Sequence, residues 1–286
     1  MKFWHISISR RSLTIAAALV GVLSLAIGAH AALNKRALDA AKAIASEQGA
    51  DTAGKASRIA LVIGNGHYPD ANAPLAQPIN DARALTASLR QSGFDVDVIE
   101  DATKDDMRRA VARMKSKIKK DSVVMLFFGG YGVQAGRESY MIPVDAKIWK
   151  EFDVRRDGVS IESVLSAMKE QGARAKLVVV DASRRNPYER RFRAYSHGLA
   201  PIVAPDNALI LSSATPGKVA DDSKAPNSVL MTELLTHLNP ELTGIEAAFN
   251  KTRIAISRAS EGEQVPSVSS SLLEDVTFAA MANAGS

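Results

Sequence analysis

Four short apolar runs, separated by stretches of helical period, constrain this chain more than any other feature. They are Arg58–Asn65 (RIALVIGN), Ser122–Phe128 (SVVMLFF), Lys176–Val180 (KLVVV) and Ala208–Ser212 (ALILS). Continuous runs of this length, rich in β-branched residues, suit strands covered on both faces. A fifth segment, Phe94–Ile99, alternates apolar and polar residues as a half-covered strand does. Between and after them, Asn80–Gln91, Thr103–Ile118, Ser160–Gln171, Ser228–Leu238 and Thr243–Ala259 carry apolar residues at helical spacing. Asn80 or Asp81 is expected to cap the first helix and Thr103 the second, with Gly172 as a stop signal for the third. A β-rich segment, Ser267–Phe278, closes the pattern. This alternation predicts an α/β fold, a three-layer α/β/α sandwich around a mostly parallel sheet.

The chain is long enough, at 286 residues, for one sizeable domain with appendages. Residues 1–31 have the layout of an export signal. A basic start (Lys2, Arg10, Arg11) precedes an uncharged apolar run, Leu13–Ile27, and Ala29-His30-Ala31 forms a small-residue cleavage site. Ser9-Arg10-Arg11-Ser12-Leu13 is similar to the twin-arginine signature, so export by either the Sec or the Tat route is expected. The domain is then periplasmic, or, where the segment is retained, held at the inner membrane by its N-terminus. Residues 32–57 read as a helical and flexible linker, 58–280 as the folded domain and 281–286 as a tail. The formal charge of +5 loses three units with the leader, which holds no acid, and +2 gives no reason to expect nucleic acid as a partner. No membrane contact is expected unless the N-terminal segment stays as an anchor. The lysines at 115, 117, 119 and 120 read as a solvated helix end.

Two of the apolar strands run into turns that present one reactive side chain each. Ser122–Phe128 leads to Gly129-Gly130-Tyr131-Gly132, and Lys176–Val180 leads to Asp181-Ala182-Ser183-Arg184. In open α/β sheets, sites lie at the carboxyl ends of strands, so Tyr131 and Ser183 occupy positions where chemistry is expected.

Taken in order, the motifs of residues 58–278 resemble those of the caspase-like cysteine peptidases, the bacterial caspase homologues and metacaspases. The matching stretches are Arg58–Asn65, Tyr68, Ala73-Pro74-Leu75, Asn80-Asp81-Ala82, Gly93–Val96, Asp101-Ala102-Thr103, Gly132-Val133-Gln134 and Tyr140–Asp145. They continue with Asp181-Ala182, Arg184, Asn186-Pro187, Ser213–Gly217, Asn227-Ser228 and Thr232. The resemblance implies the caspase–hemoglobinase fold, with about six strands and a groove that takes an extended peptide. It also implies a catalytic His between the glycines of the first turn and a Cys after Asp-Ala in the second. Here those positions hold Tyr131 and Ser183, and the chain contains no cysteine. Tyr with Ser recurs among inactive members of the family.

The exchange is chemically severe. A cysteine peptidase needs a thiol that ionises near neutral pH and an imidazole that takes its proton. A phenol titrates near ~10 and accepts no proton at pH 7, and serine attacks only beside a strong base. The residues therefore favour an exported pseudopeptidase that acts by binding or regulation. The alternative is a residual hydrolase with Arg or Lys preference, using Ser183 and another base among His67, His197 and His237. The expected partner is an extended peptide or protein segment, including ones that carry Arg or Lys.

In metacaspase-type relatives, groove acids hold a basic side chain. Asp181 matches one such acid, and Asp221 or Asp222 could supply a second by position. Asp181 could equally cap backbone amides at its strand end, and Asp221 and Asp222 could lie on an exposed loop. No cofactor is expected. Gly64-Asn65-Gly66 lacks the third glycine of a dinucleotide fingerprint, Gly130-Tyr131-Gly132 runs into strand rather than helix, and no phosphate loop exists. No metal is expected either, with Asp95, Asp97, Glu100 and Asp101 read as solvent-facing as readily as cation ligands.

Overall fold

A computed structural model describes residues 57–69, 74–182, 199–218, 225–238, 244–274 and 276–278. The export segment, residues 32–56 of the linker, Ser183, Asp221, Asp222, His197 and the tail lie outside the described residues. Six strands form one sheet: β1 (Arg58–Gly64), β2 (Asp95–Glu100), β3 (Val123–Gly129), β7 (Ala175–Asp181), β8 (Ala208–Ser212) and β9 (Ser267–Ser270). Their spatial order is β2-β1-β3-β7-β8-β9. All neighbours are parallel except β8 and β9, so β9 is an antiparallel edge. A small antiparallel sheet of β4 (Gly132–Ala135), β5 (Glu138–Met141) and β6 (Val159–Ser160) follows the third strand. This is the α/β architecture that the strand–helix alternation predicts.

The strand interiors are apolar throughout because both faces are covered. Leu61, Ile63, Val124, Leu126, Phe128, Val178 and Val180 face one layer, made by α2 (Lys104–Lys117) and α4 (Ile161–Glu170). Val62, Met125, Phe127, Leu177, Val179 and Leu211 face the other, made by α1 (Ala76–Gln91), α5 (Val229–His237) and α6 (Ile245–Ala259). The alternation of β2 has an edge-strand cause. Val96 and Val98 pack against the second layer, while Asp95 pairs with Lys117 at 2.7 Å and Asp97 with Arg113 at 2.8 Å.

The expected Thr103 cap holds, and two further serines cap helices at the starts read from the sequence. Thr103 and Asp106 form a capping box at the start of α2, with the Thr103 hydroxyl accepting from the Asp106 N–H. Ser160 and Ser228 cap α4 and α5. Gly172 takes φ +78 directly after α4, where a left-handed residue ends a helix. Thr103→Ala is expected to lower stability by about 1 kcal/mol, read by denaturant unfolding.

The start of α1 differs from expectation. The helix begins at Ala76, with Leu75 at the cap position and no side-chain cap bond, so Asn80 and Asp81 lie inside it. Pro78 sits in the first turn, where its missing N–H would have no intrahelical partner anyway. Asn80 and Asp81 serve the neighbouring loop instead: Asn80 Nδ2 donates to the Pro226 carbonyl at 2.8 Å, and Asp81 accepts from Asn227 and Ser228. The short helix α3 (Glu151–Asp157) is also absent from the sequence expectation, and the final β-rich segment shortens to β9 plus one bridge from Thr277 to Gly244.

Candidate functional site

The strand register aligns three chain exits at one end of the sheet. Gly64 pairs with Gly129, and Gly129 with Asp181. Beyond that row, the Gly130 N–H donates to the Asp181 carbonyl at 3.2 Å and the Gly132 N–H to the Ala182 carbonyl at 3.0 Å. The turn that carries Tyr131 is thus laced to Asp181-Ala182, the residues to which the sequence joins Ser183 directly. The two turns singled out in the sequence meet as far as the described residues extend.

Glycine is required within this turn. Gly130 has φ +153, and a Cβ there would stand 2.5 Å from the Tyr68 hydroxyl and 3.0 Å from Phe128. Gly130→Ala is expected to cost roughly 1–3 kcal/mol, read as a lowered thermal midpoint.

Tyr131 is half-buried, and its aromatic ring meets that of Tyr68 edge to face, with centroids 4.7 Å apart. The Tyr68 hydroxyl accepts from the Tyr131 N–H at 3.1 Å and donates to the Ile142 carbonyl at 2.9 Å. The Ile142 N–H returns to the Tyr131 carbonyl at 3.0 Å. The ring packs against a small core of Tyr68, Val133, Tyr140, Ile142, Ile148 and Val154. Tyr131 is therefore held as an aromatic packing residue, and a tyrosine's neutral phenol is no general base at neutral pH.

Asp181 is buried at the end of β7, and sequence reasoning singled it out. It missed Asp81, which is fully buried on α1 and electrostatically coupled to Asp181. Helix α1 comes close at this point: a Cβ on Gly64 would stand 2.5 Å from the Pro78 carbonyl and 2.9 Å from Ala82. Asp81 Oδ1 accepts from Asn227 Nδ2 at 2.8 Å and from the Ser228 N–H at 3.0 Å. Its Oδ2 has no hydrogen-bond partner among the described residues. Burial pushes the Asp81 carboxyl up to about 6, and the negative charge of Asp181 adds to the effect against the opposing bonds from Asn227 and Ser228. Asp81 is thus a buried carboxyl whose ionised form is disfavoured by burial and by the charge of Asp181. The signal in the sequence was Asn80-Asp81-Ala82, read there as a helix cap.

A second polar cluster lies where β1 and β2 end. Asp101, at φ +47, accepts the N–H groups of Gly66 and His67 on one oxygen, both at 2.9 Å. Its other oxygen meets His67 Nδ1 at 2.5 Å. Burial pushes the Asp101 carboxyl up, but the bonds from His67 and Gly66 outweigh it and hold the group below its ordinary value. His67 is exposed and directly precedes Tyr68 on the same loop.

The acids weighed as cation ligands are engaged elsewhere: Asp95 with Lys117, Asp97 with Arg113, Glu100 with Arg83 and Asp101 with His67. Among the described residues no group of acids and histidines could hold a metal, and no helix is long and apolar enough to cross a membrane.

The profile of the caspase domain matches residues 57–277. The chain is 30% identical over 144 residues to the human mucosa-associated lymphoid tissue lymphoma translocation protein 1. It is 29% identical over 133 residues to the mouse homologue of that protein. Those stretches cover 50% and 46% of this chain but only 17% and 16% of the relatives, so the chain spans a small part of their length.

Proposed function

This chain belongs to the caspase-domain family, and on that premise we propose that it is an exported pseudopeptidase, a peptide-binding member without cysteine-peptidase activity. The observation that carries this reading is Tyr131. At the turn where the family places its imidazole base stands a phenol packed into an aromatic core, in a chain without a single cysteine. Neither of the two turns supplies its half of a thiolate–imidazole pair.

What remains is a place for a basic side chain. Asp81 and Asp181 are both buried and the charge of Asp181 acts on Asp81, and a guanidinium or ammonium group is the counter-charge that such carboxylates select. The ligand is an extended peptide or protein segment with an Arg or Lys at that position, and the domain acts by holding it, as a scaffold or as a regulator of an active relative. The N-terminal signal layout supports a location outside the cytoplasm.

A second reading, a residual hydrolase that uses Ser183, has one observation in its favour. His67 is an imidazole oriented by a carboxylate, on a loop adjoining the Tyr131 turn. Such a pair is the oriented base that a serine nucleophile needs. It predicts turnover that both His67→Ala and Ser183→Ala abolish.

Binding of an arginine-containing peptide library to the full chain tests the first reading. Selective retention of Arg or Lys peptides, lost in Asp181→Asn, supports it. Equal retention of neutral and basic peptides overturns it.

A further inference from the structure

A basic side chain reaches Asp81 and Asp181 only if something moves, because they are 0% and 3% exposed. Against Asp81 lies a short stretch of chain that leads into α5, held by one face of α1. Gln77 Nε2 donates to the Ala225 carbonyl at 3.1 Å and Asn80 Nδ2 to the Pro226 carbonyl at 2.8 Å. Asp81 Oδ1 accepts from Asn227 Nδ2 at 2.8 Å and from the Ser228 N–H at 3.0 Å. Side chains at i, i+3 and i+4 share a helix face, so α1 fastens four consecutive residues in one clasp. The clasp has a firm end and a loose one. The Ser228 hydroxyl accepts the Met231 N–H at 3.0 Å, and Leu230, Met231 and Leu234 are buried in the core, which holds α5. Ala225 and Pro226 are exposed and Asn227 is half-buried, so residues 225–227 lift without taking an apolar side chain out of the core.

Closure has an electrostatic cost. Burial first, and then the negative charge of Asp181, push the Asp81 carboxyl up to about 6, and the bonds from Asn227 and Ser228 offset this only in part. Among the described residues, the charge that acts on Asp81 is that of Asp181 on β7. On α1 itself Arg83 is taken by Glu100 at 2.6 Å, and on α5 Glu233 stands 3.8 Å from His237. Lifting the clasp lets water reach the carboxyl and returns it toward its ordinary 3.8. The closed form therefore binds more protons than the open form between those two values, and rising pH favours opening.

We infer that residues 225–228 are a pH-gated cover, clasped on Asp81 in acid and released toward neutral pH, where a basic side chain gains access. This regulation rests on the proposal that Asp81 and Asp181 seat such a side chain. Charge and access then run together, since the charge that attracts the ligand is the one that loosens the cover. The difference between about 6 and 3.8 sets the limit of the effect. Opening gains about a hundredfold in all, of which about tenfold falls between pH 5 and 7.5.

Hydrogen exchange of the full chain without peptide tests the cover, and peptide retention separately tests the proposal it rests on. The Ser228 amide donates to Asp81 and so reports the clasp directly. Corrected for intrinsic exchange, its protection should fall about tenfold from pH 5 to 7.5, while β3 amides stay more strongly protected throughout. In Asp81→Asn, which keeps an acceptor for both donors, that protection should not change with pH. Asn80→Ala removes an exposed tie and should lower Ser228 protection roughly threefold to tenfold at every pH, with the same slope. Three results overturn the inference: protection that is flat or rises with pH, the same fall in Asp81→Asn, and a Ser228 amide that exchanges only together with β3. The last would mean that the clasp opens only when the domain unfolds. A chain that behaves as expected in exchange yet retains no Arg peptide keeps the cover and refutes the basic ligand alone.

Discussion

The chain carrying Tyr131→His together with Ser183→Cys is expected to cleave peptides after Arg at a rate at least about a hundredfold above the unmodified chain. Removing a nucleophile and its base from a serine peptidase costs about a millionfold, so a partial return of the pair is a large signal even in an imperfect site. The backbone to support it is present. Gly130 and Gly132 tie the Tyr131 turn to Asp181 and Ala182 by two hydrogen bonds, as register continuing from the Gly129–Asp181 pair requires. Tyr131 packs through its ring, and an imidazole is smaller than a phenol ring, so the exchange overpacks nothing. Each single variant should fall well short of the double, because thiolate and imidazole act as a unit. Fluorogenic reporters ending in Arg read the result, and a folded double variant at background would mean that the surrounding groove no longer positions a substrate.

Asp81→Asn is expected to separate stability from binding. The folded-state value of about 6 lies above the ordinary 3.8, so the folded protein binds more protons than the unfolded chain between those two values. The favourable contribution of Asp81 is then fully present below about pH 4 and lost as pH rises through about 6. At pH 7.5 the ionised group costs on the order of 2–3 kcal/mol. Asparagine keeps the acceptor for Asn227 and Ser228 and removes the charge beside Asp181. The variant should therefore melt higher than the unmodified chain at pH 7.5, with the advantage shrinking toward pH 4. The same change should weaken binding of an Arg peptide by at least about thirtyfold, since a buried charge partner is lost. In the unmodified chain, binding should fall as pH drops from 7.5 to 5. Calorimetric melting and peptide titration across that range check both halves, and a variant that neither stabilises nor weakens binding contradicts the paired-carboxylate site.

Most of the sheet was legible because burial on two faces leaves a simple mark. β1, β3, β7 and β8 are runs that need no partner to be recognised. Thr103, Ser160 and Ser228 were readable as starts because a cap acts within its own helix. Asp81 misled for the opposite reason. A carboxylate before an apolar helix pattern looks like a cap, but its partners, Asn227 and Ser228, come from a loop 146 and 147 residues away. Nothing local encodes that bond. The same holds for Asp101, whose backbone partners lie on the loop leaving β1. Of the two chemical turns, the position of Tyr131 follows from its strand, whereas its embedding against Tyr68 is a tertiary fact.

The account depends most on the loss of a thiolate–imidazole pair without a replacement. The direct measurement is turnover of Arg- and Lys-ending fluorogenic peptides by the purified full chain, beside the same chain carrying Ser183→Ala. The account predicts that both remain at the buffer rate across pH 5 to 9. Turnover by the unmodified chain that disappears in Ser183→Ala would contradict it, and its further loss in His67→Ala would identify the base that took over.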